Sequence, residues 1–224
     1  MREIVLIWFS LFIFGAIHSL LASRGAKSFG ALVVGKRTQR GLYRAAYNIV
    51  AVISFAPTLL LVVGLPDREL YGIPEPLSCI ALAVQGLAAL GLIYSAWQMD
   101  VFHFSGLKQL AAWLGGGEAH SASDTSASHL VVDGLHRYVR HPLYTTSLIV
   151  LWLVSPMTIN RLAFLIGVTI YFYVGSIFEE HKLVAEFGEA YRAYQRRVPR
   201  LIPGLRSMTN PRHSATRASD EGRE

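Results

Sequence analysis

The chain of 224 residues contains one cysteine, Cys79. A single thiol excludes an internal disulfide and a thiolate metal cluster, and its apolar surroundings mark it as a small core residue. The eight histidines have neither the spacing nor the company of a zinc or iron site, so no metal is expected. No internal repeat of fixed period is present. No recognisable nucleic-acid-binding motif accompanies the net charge of +6, which argues against nucleic acid as a partner. No small-x-small cleavage site follows the first apolar run, so Arg2 and the stretch behind it read as a retained helix rather than a signal peptide. Acidic residues are missing altogether from 24–44, which reads as a polar loop where Arg24, Lys27, Lys36, Arg37, Arg40 and Arg44 crowd together.

What is abundant is hydrocarbon. Hydrophobic residues make up 52% of the chain, and they come in runs long enough to cross a bilayer core of about 30 Å. This predicts an all-α integral membrane bundle with five spans, at 4–21, 45–65, 77–99, 142–154 and 160–178. The fourth is short, because about 13 residues of helix rise only about 20 Å. With 155–159 as a tight connection, the last two spans form a helical hairpin. Lys and Arg concentrate in 24–44 and in the carboxyl tail, so the positive-inside rule sets those segments and 100–140 in the cytoplasm. The 67–75 loop and the turn at Ser155 then lie outside, as does the amino end. Basic residues at span ends also suit anionic membrane lipid.

Three parts follow: a three-helix membrane part at 1–99, a part at 100–206 that carries the polar chemistry, and a polar tail at 207–224 with no apolar face, expected to be disordered. Pro66, Pro74 and Pro76 punctuate the outer loop, and Pro57 is expected to kink the second span. Residues 115–128 turn to Gly, Ser, Ala and Asp and read as a flexible loop. From Glu179 to Arg197, Leu183, Phe187, Tyr191 and Tyr194 recur at helical spacing with charges between them, the pattern of an amphipathic interfacial helix with a bend at Gly188. Pro199 and Pro203 then bracket Leu201 and Ile202, which can tuck back toward the bundle.

Charged and titratable groups crowd the ends of the hairpin. Tyr138, Arg140, His141 and Tyr144 enter it around Pro142, a residue that can begin a helix. Glu179 and Glu180 leave it. Such groups at a bilayer boundary are costly and usually face a protein-lined pocket. An interfacial His141 bonded to a free carbonyl and a solvated glutamate pair are the plainer readings. The sharper one is that one Glu binds a cationic group of a ligand. His103, Lys108 and Gln109 follow the third span at the same level, and His18 and Ser19 close the first.

The stretch from 130 to 203 resembles the membrane methyltransferases that include isoprenylcysteine carboxyl methyltransferases and phospholipid methyltransferases. Gly134, Arg140, His141, Pro142, Leu143 and Tyr144, then Glu179, Glu180, Phe187, Gly188, Tyr191 and Pro199, carry the resemblance in order. In the amino half, His18, Tyr43, Arg44, Tyr47, Asn48, the segment Phe104 to Gln109, and Ser155 to Thr158 are similar to the branch holding the NnrU proteins and methanethiol S-methyltransferases. The resemblance implies S-adenosyl-L-methionine as cofactor and a small or lipophilic acceptor. It implies cofactor contacts from Gln109, His129, Leu130, Val131, His141, Pro142, Leu143, Tyr144 and Glu179, with His136 standing where the family has a Tyr. Four residues before Glu179, where the carboxyl methyltransferases carry an Arg near the substrate, this chain has Gly175, which favours a thiol over a carboxylate. The other classes to weigh are a sterol-reductase-like enzyme using NADPH and a non-catalytic NnrU-like protein.

Overall fold

The computed structural model describes residues 1–98, 101–116 and 130–204. Among these residues four helices are long and apolar enough to cross a membrane: α1 (Arg2–Ala22), α3 (Lys36–Gly64), α4 (Leu77–Gln98) and α8 (Ile159–Phe187). A shorter apolar helix, α7 (Pro142–Trp152), completes an all-α membrane bundle. α1 packs along α3 and α8, while α4 packs along α7, and α7 touches α8 more sparingly. Large apolar side chains such as Val5, Phe12, Ile53, Leu60, Val63, Leu82 and Leu87 stand exposed on the outer surface, where lipid replaces water as their solvent. Polar bonds join the helices inside: Ser10 to Thr58 at 2.8 Å, Trp8 Nε1 donating to the Ala163 carbonyl, and Gln85 Nε2 donating to the Val150 carbonyl.

At the end away from the basic residues, a buried cluster of Ile7, Met157, Phe164, Leu165 and Val168 forms the tightest core. Beside it, β1 (Glu69–Tyr71) pairs antiparallel with β2 (Met157–Thr158). Asp67 accepts from the Asn160 amide at 3.1 Å, and Asn160 Nδ2 donates to the carbonyls of Leu65 and Pro66. Thr158 caps α8 by accepting from the Arg161 amide. Asn160 is fully buried, so this latch ties the hairpin turn to the loop after α3.

Several expectations need correction. The basic segment 24–44 is not a loop: α2 (Arg24–Val34) begins at Ser23, whose Oγ accepts from the Ala26 amide, and α3 already starts at Lys36. Pro57 lies within the second span as expected, inside α3, which runs on to Gly64. Cys79 is exposed on α4 rather than in the core, its thiol 3.3 Å from a Glu75 oxygen. The last span does not stop at Phe178 but runs on to Phe187, so the amphipathic segment is the end of α8 plus α9 (Glu189–Arg197). Gly188, at φ 57°, separates the two as expected. At the basic end, α5 (Val101–Ser105) and α6 (Leu107–Leu114) pack on α3. Gly106 between them has φ 87°, and a Cβ there would lie 2.5 Å from the Ala45 amide nitrogen, so only glycine allows this approach. The expected loop beyond Gly116, His129 and the expected disordered tail lie outside the described residues.

Candidate active site

Pro142 occupies the first turn of α7 and His141 is its N-cap residue. The segment after α9 returns across this point: the amides of Arg140 and His141 donate to the carbonyls of Pro199 and Arg200, and Thr145 Oγ1 donates to the Leu201 carbonyl at 2.7 Å. Leu201 is half-buried, but Ile202 is exposed, so the return uses the backbone and only one of the two apolar side chains.

The carboxylate pair divides into two unlike groups. Glu180 has a side chain only 3% exposed. Arg140 grips it through Nε at 2.8 Å and Nη2 at 3.2 Å, Arg200 through Nε at 3.2 Å and Nη2 at 2.9 Å, and Gln195 Nε2 adds a bond at 2.9 Å. Arg140 Nη1 donates onward to the carbonyls of Gln195 and Val198, closing the end of α9. Glu179, the preceding residue on the same helix, is 47% exposed at its side chain. It accepts from the Tyr144 hydroxyl at 3.1 Å and lies 3.5 Å from His141 Nδ1, so it is oriented without being enclosed.

His141 stands between them, with Nε2 3.2 Å from Glu180 and Nδ1 facing Glu179. Burial disfavours its charged form, yet the two carboxylates outweigh burial and raise its pKa above the usual histidine value. His136 behaves in the opposite way. Burial, reinforced by the nearby His141, lowers its pKa, and its buried Nδ1 has no hydrogen-bond partner. The Tyr194 hydroxyl donates to the His136 carbonyl at 2.6 Å, and burial pushes that phenol up to about 12.

An aromatic row runs from this cluster into the bundle. The His141 and Tyr144 rings are stacked at 5.4 Å, and Tyr144 stacks on Phe172 at 4.7 Å. Tyr171 neighbours Phe172 and meets His18 edge-on at 6.2 Å, and His18 packs against Tyr47 with centroids 4.8 Å apart. The row thus joins α7, α8, α1 and α3.

Of the residues singled out in the sequence, His141, Tyr144, Glu179 and half-buried His136 gather at one place, with Pro142 buried and Leu143 half-buried at the start of α7. Leu130 and Val132 line an open groove of ≈ 330 Å³ against Ala190, Ala193 and Tyr194, and Val131 is exposed. Gln109 lies on α6, which packs on α3, and is buried with its Oε1 lacking a partner. A larger open groove of ≈ 620 Å³ between α4 and α5, lined by Ile93, Ala96, Trp97, Gln98, Val101 and Phe102, holds none of the charged groups. Sequence reasoning missed Arg200 and Gln195 as partners of Glu180, and Tyr171 and Phe172 as the row beside it. The one available signal was that a carboxylate pair beside lipid needs cations, and Arg140 is only one.

Over 201 residues the chain is 30% identical to the methanethiol S-methyltransferase of Pseudomonas deceptionensis, covering 87% of this chain and 70% of that protein. The chain belongs to this family of membrane methyltransferases. It is 29% identical over 201 residues to methanethiol S-methyltransferase 1 of Bradyrhizobium diazoefficiens, where the match covers 88% of the chain and 65% of the relative, so the chain spans about two thirds of that length. The protein-S-isoprenylcysteine O-methyltransferase of Schizosaccharomyces pombe is 31% identical over 126 residues, 51% of this chain and 52% of that protein. No protein-family model and no solved structure matches the chain.

Proposed function

We propose that the chain is an integral membrane methyltransferase that uses S-adenosyl-L-methionine to methylate a small or lipophilic acceptor, a thiol ahead of a carboxylate, at the cytoplasmic face. The observation that carries this reading is the unequal carboxylate pair. Glu180 is consumed by two arginines, while Glu179 is fixed by Tyr144 and His141 with half its side chain open. A fixed, half-open carboxylate beside stacked aromatic faces suits a cationic ligand. His136 Nδ1 and Gln109 Oε1 are buried acceptors without partners. Each costs about 1–3 kcal/mol unpaired, a debt that the amino and hydroxyl donors of an adenosine would remove.

S-adenosyl-L-methionine supplies a methyl group already bonded to a good leaving group. In this reading Glu179 holds its ammonium group, Tyr144 and His141 keep that carboxylate in one orientation, and the aromatic row excludes water. Positioning of this kind supplies about 7–11 kcal/mol of a transfer barrier. Nothing lies within 4 Å of a Cβ built at Gly175, and both arginines of the cluster are spent on Glu180. A carboxylate acceptor would thus lack a cationic partner at Gly175, which supports a thiol. The basic residues of α2 and the start of α3 support a cytoplasmic position for this end.

The test is calorimetric titration of the detergent-purified protein with S-adenosyl-L-methionine and with NADPH, alongside Glu179→Gln. The expected result is binding of the first alone, lost or weakened at least about 10-fold in the variant, with methyl transfer to small thiols abolished. Binding of NADPH instead, binding of neither, or unchanged turnover by the variant would reject the reading.

A further inference from the structure

His18 has a place in the chemistry that the cofactor cluster does not fill. This inference rests on the methyltransferase reading and concerns the acceptor side. A thiol attacks as its thiolate, and an alkyl thiol is largely protonated at neutral pH, so a site buried in apolar surroundings must take the proton as the methyl moves. His141 is a poor candidate, because the two carboxylates around it hold its proton on. Glu180 is sealed by arginines, Glu179 faces the donor, and the free nitrogen of His136 is enclosed beside the polar turn at Gly134–Arg137.

At the other end of the aromatic row stands His18, half-buried in α1 at the level where the basic end begins. The Tyr47 hydroxyl lies against its ring nitrogens, nearest Nε2 and 3.1 Å from Nδ1, and fixes the ring against Phe14 and Tyr171. Among the described residues, Tyr47 of α3 and Tyr171 of α8 are the titratable side chains whose rings pack against it. The cations at this end include Lys27 of α2, which lies close enough to Arg44 of α3 and Lys182 of α8 to be repelled by each. No carboxylate bonds to His18 among the described residues. The neutral ring carries a hydrogen on one nitrogen and a lone pair on the other, and the Tyr47 hydroxyl, which faces both and lies nearest Nε2, orients it as a third group orients a base.

We propose that His18, oriented by Tyr47, is the general base that deprotonates a thiol acceptor. The acceptor S–H bond breaks and its proton passes to the ring nitrogen of His18 that carries the lone pair. The sulfur electron pair forms the new S–CH3 bond while the C–S bond of the donor breaks, leaving that pair on the donor sulfur. The products are a thioether, S-adenosylhomocysteine and an imidazolium that returns its proton to water at the basic end. The aromatic row from Tyr144 through Phe172 to Tyr171 spans the interval between Glu179 and His18, so donor and base are set at opposite ends of one apolar wall.

The experiment compares wild type, His18→Gln and Tyr47→Phe with an alkyl thiol and with an aryl thiol acidic enough to be ionised at neutral pH, and measures S-adenosyl-L-methionine binding by calorimetry in each. We expect His18→Gln to bind the donor as wild type does. Its kcat/KM for the alkyl thiol should fall about 10²–10⁴-fold at pH 7 and then climb about tenfold per pH unit. For the aryl thiol the loss should stay under about threefold, since no proton remains to be removed. Tyr47→Phe should show the same sparing of the aryl thiol with a smaller loss, which keeps the test decisive if His18→Gln fails to fold. Equal losses for both thiols, an unchanged pH profile, or lost donor binding in a folded variant would overturn the assignment, as would wild-type protein that binds donor yet methylates neither thiol. Absence of donor binding in wild type would instead reject the methyltransferase reading itself.

Discussion

Replacing Glu180 with Gln should damage the protein in a different way from replacing Glu179. The Glu180 side chain is 3% exposed and accepts from Arg140, Arg200, Gln195 and His141. Glutamine keeps the shape, removes the charge and turns one acceptor oxygen into an NH2 that points at guanidinium donors. Arg140, itself 8% exposed, is left with a buried charge and no counterion. Breaking a buried pair from one side costs about 3–5 kcal/mol. Arg200 is 27% exposed and partly rehydrates, which pulls the figure toward the lower half of that range. At about 2–4 °C per kcal/mol for a chain of this size, the melting midpoint should drop by about 6–16 °C. A thermal scan of tryptophan fluorescence in detergent reads this directly, since the chain has four tryptophans. Glu179→Gln in the same scan should move by less than about 2 °C, because its oxygens meet only a hydroxyl and one ring nitrogen. Equal shifts for the two variants would refute the division of the pair into an enclosed and an open carboxylate.

Two further outcomes follow from neighbouring groups. The raised pKa of His141 contributes stability that is full below its ordinary value of 6.5 and is lost as pH rises through the folded value; the lowered pKa of His136 contributes stability that is lost as pH falls below 6.5. These two groups together should place a maximum in the melting midpoint near pH 6.5, and His141→Gln should flatten the alkaline side alone. Gly134→Ala should lower stability by about 1–3 kcal/mol, since φ there is 61° and a Cβ would meet Tyr94 Oη at 2.8 Å and Gln98 Nε2 at 2.9 Å. Donor affinity should fall with it, because His136 lies in the same turn, and an unchanged calorimetric constant would separate that turn from the site.

Hydropathy made the spanning helices legible because each is a long apolar run, and Pro142 marked the start of the short one. The segment 24–44 was misread because its alternation of basic and apolar residues lacks a carboxylate and resembles a solvated loop. Its Ser23 cap was the available cue. The proximity of His141, Tyr144 and Glu179 was foreseeable from their places at the two ends of one hairpin. Which carboxylate is enclosed was not, since adjacent residues on a helix point about 100° apart and only packing decides between them. Arg200 reaches Glu180 through a chain reversal after α9, a feature with no period to detect. The short helix that carries Gln109 and packs on α3 has no cue in composition, since eight residues are too few to show a period.

The unbroken course of α8 makes it a gauge as well as a support. Asn160 is fastened to Asp67, Leu65 and Pro66, and the run of helix from there to Glu179 is about 30 Å at 1.5 Å per residue, close to the thickness of the hydrocarbon layer. In a thicker bilayer the helix must stand more upright or draw the carboxylates toward lipid; in a thinner one it must lean. Each ångström of mismatch costs a fraction of a kcal/mol. The acyl-chain length of the host membrane should therefore tune how wet the open face of Glu179 is.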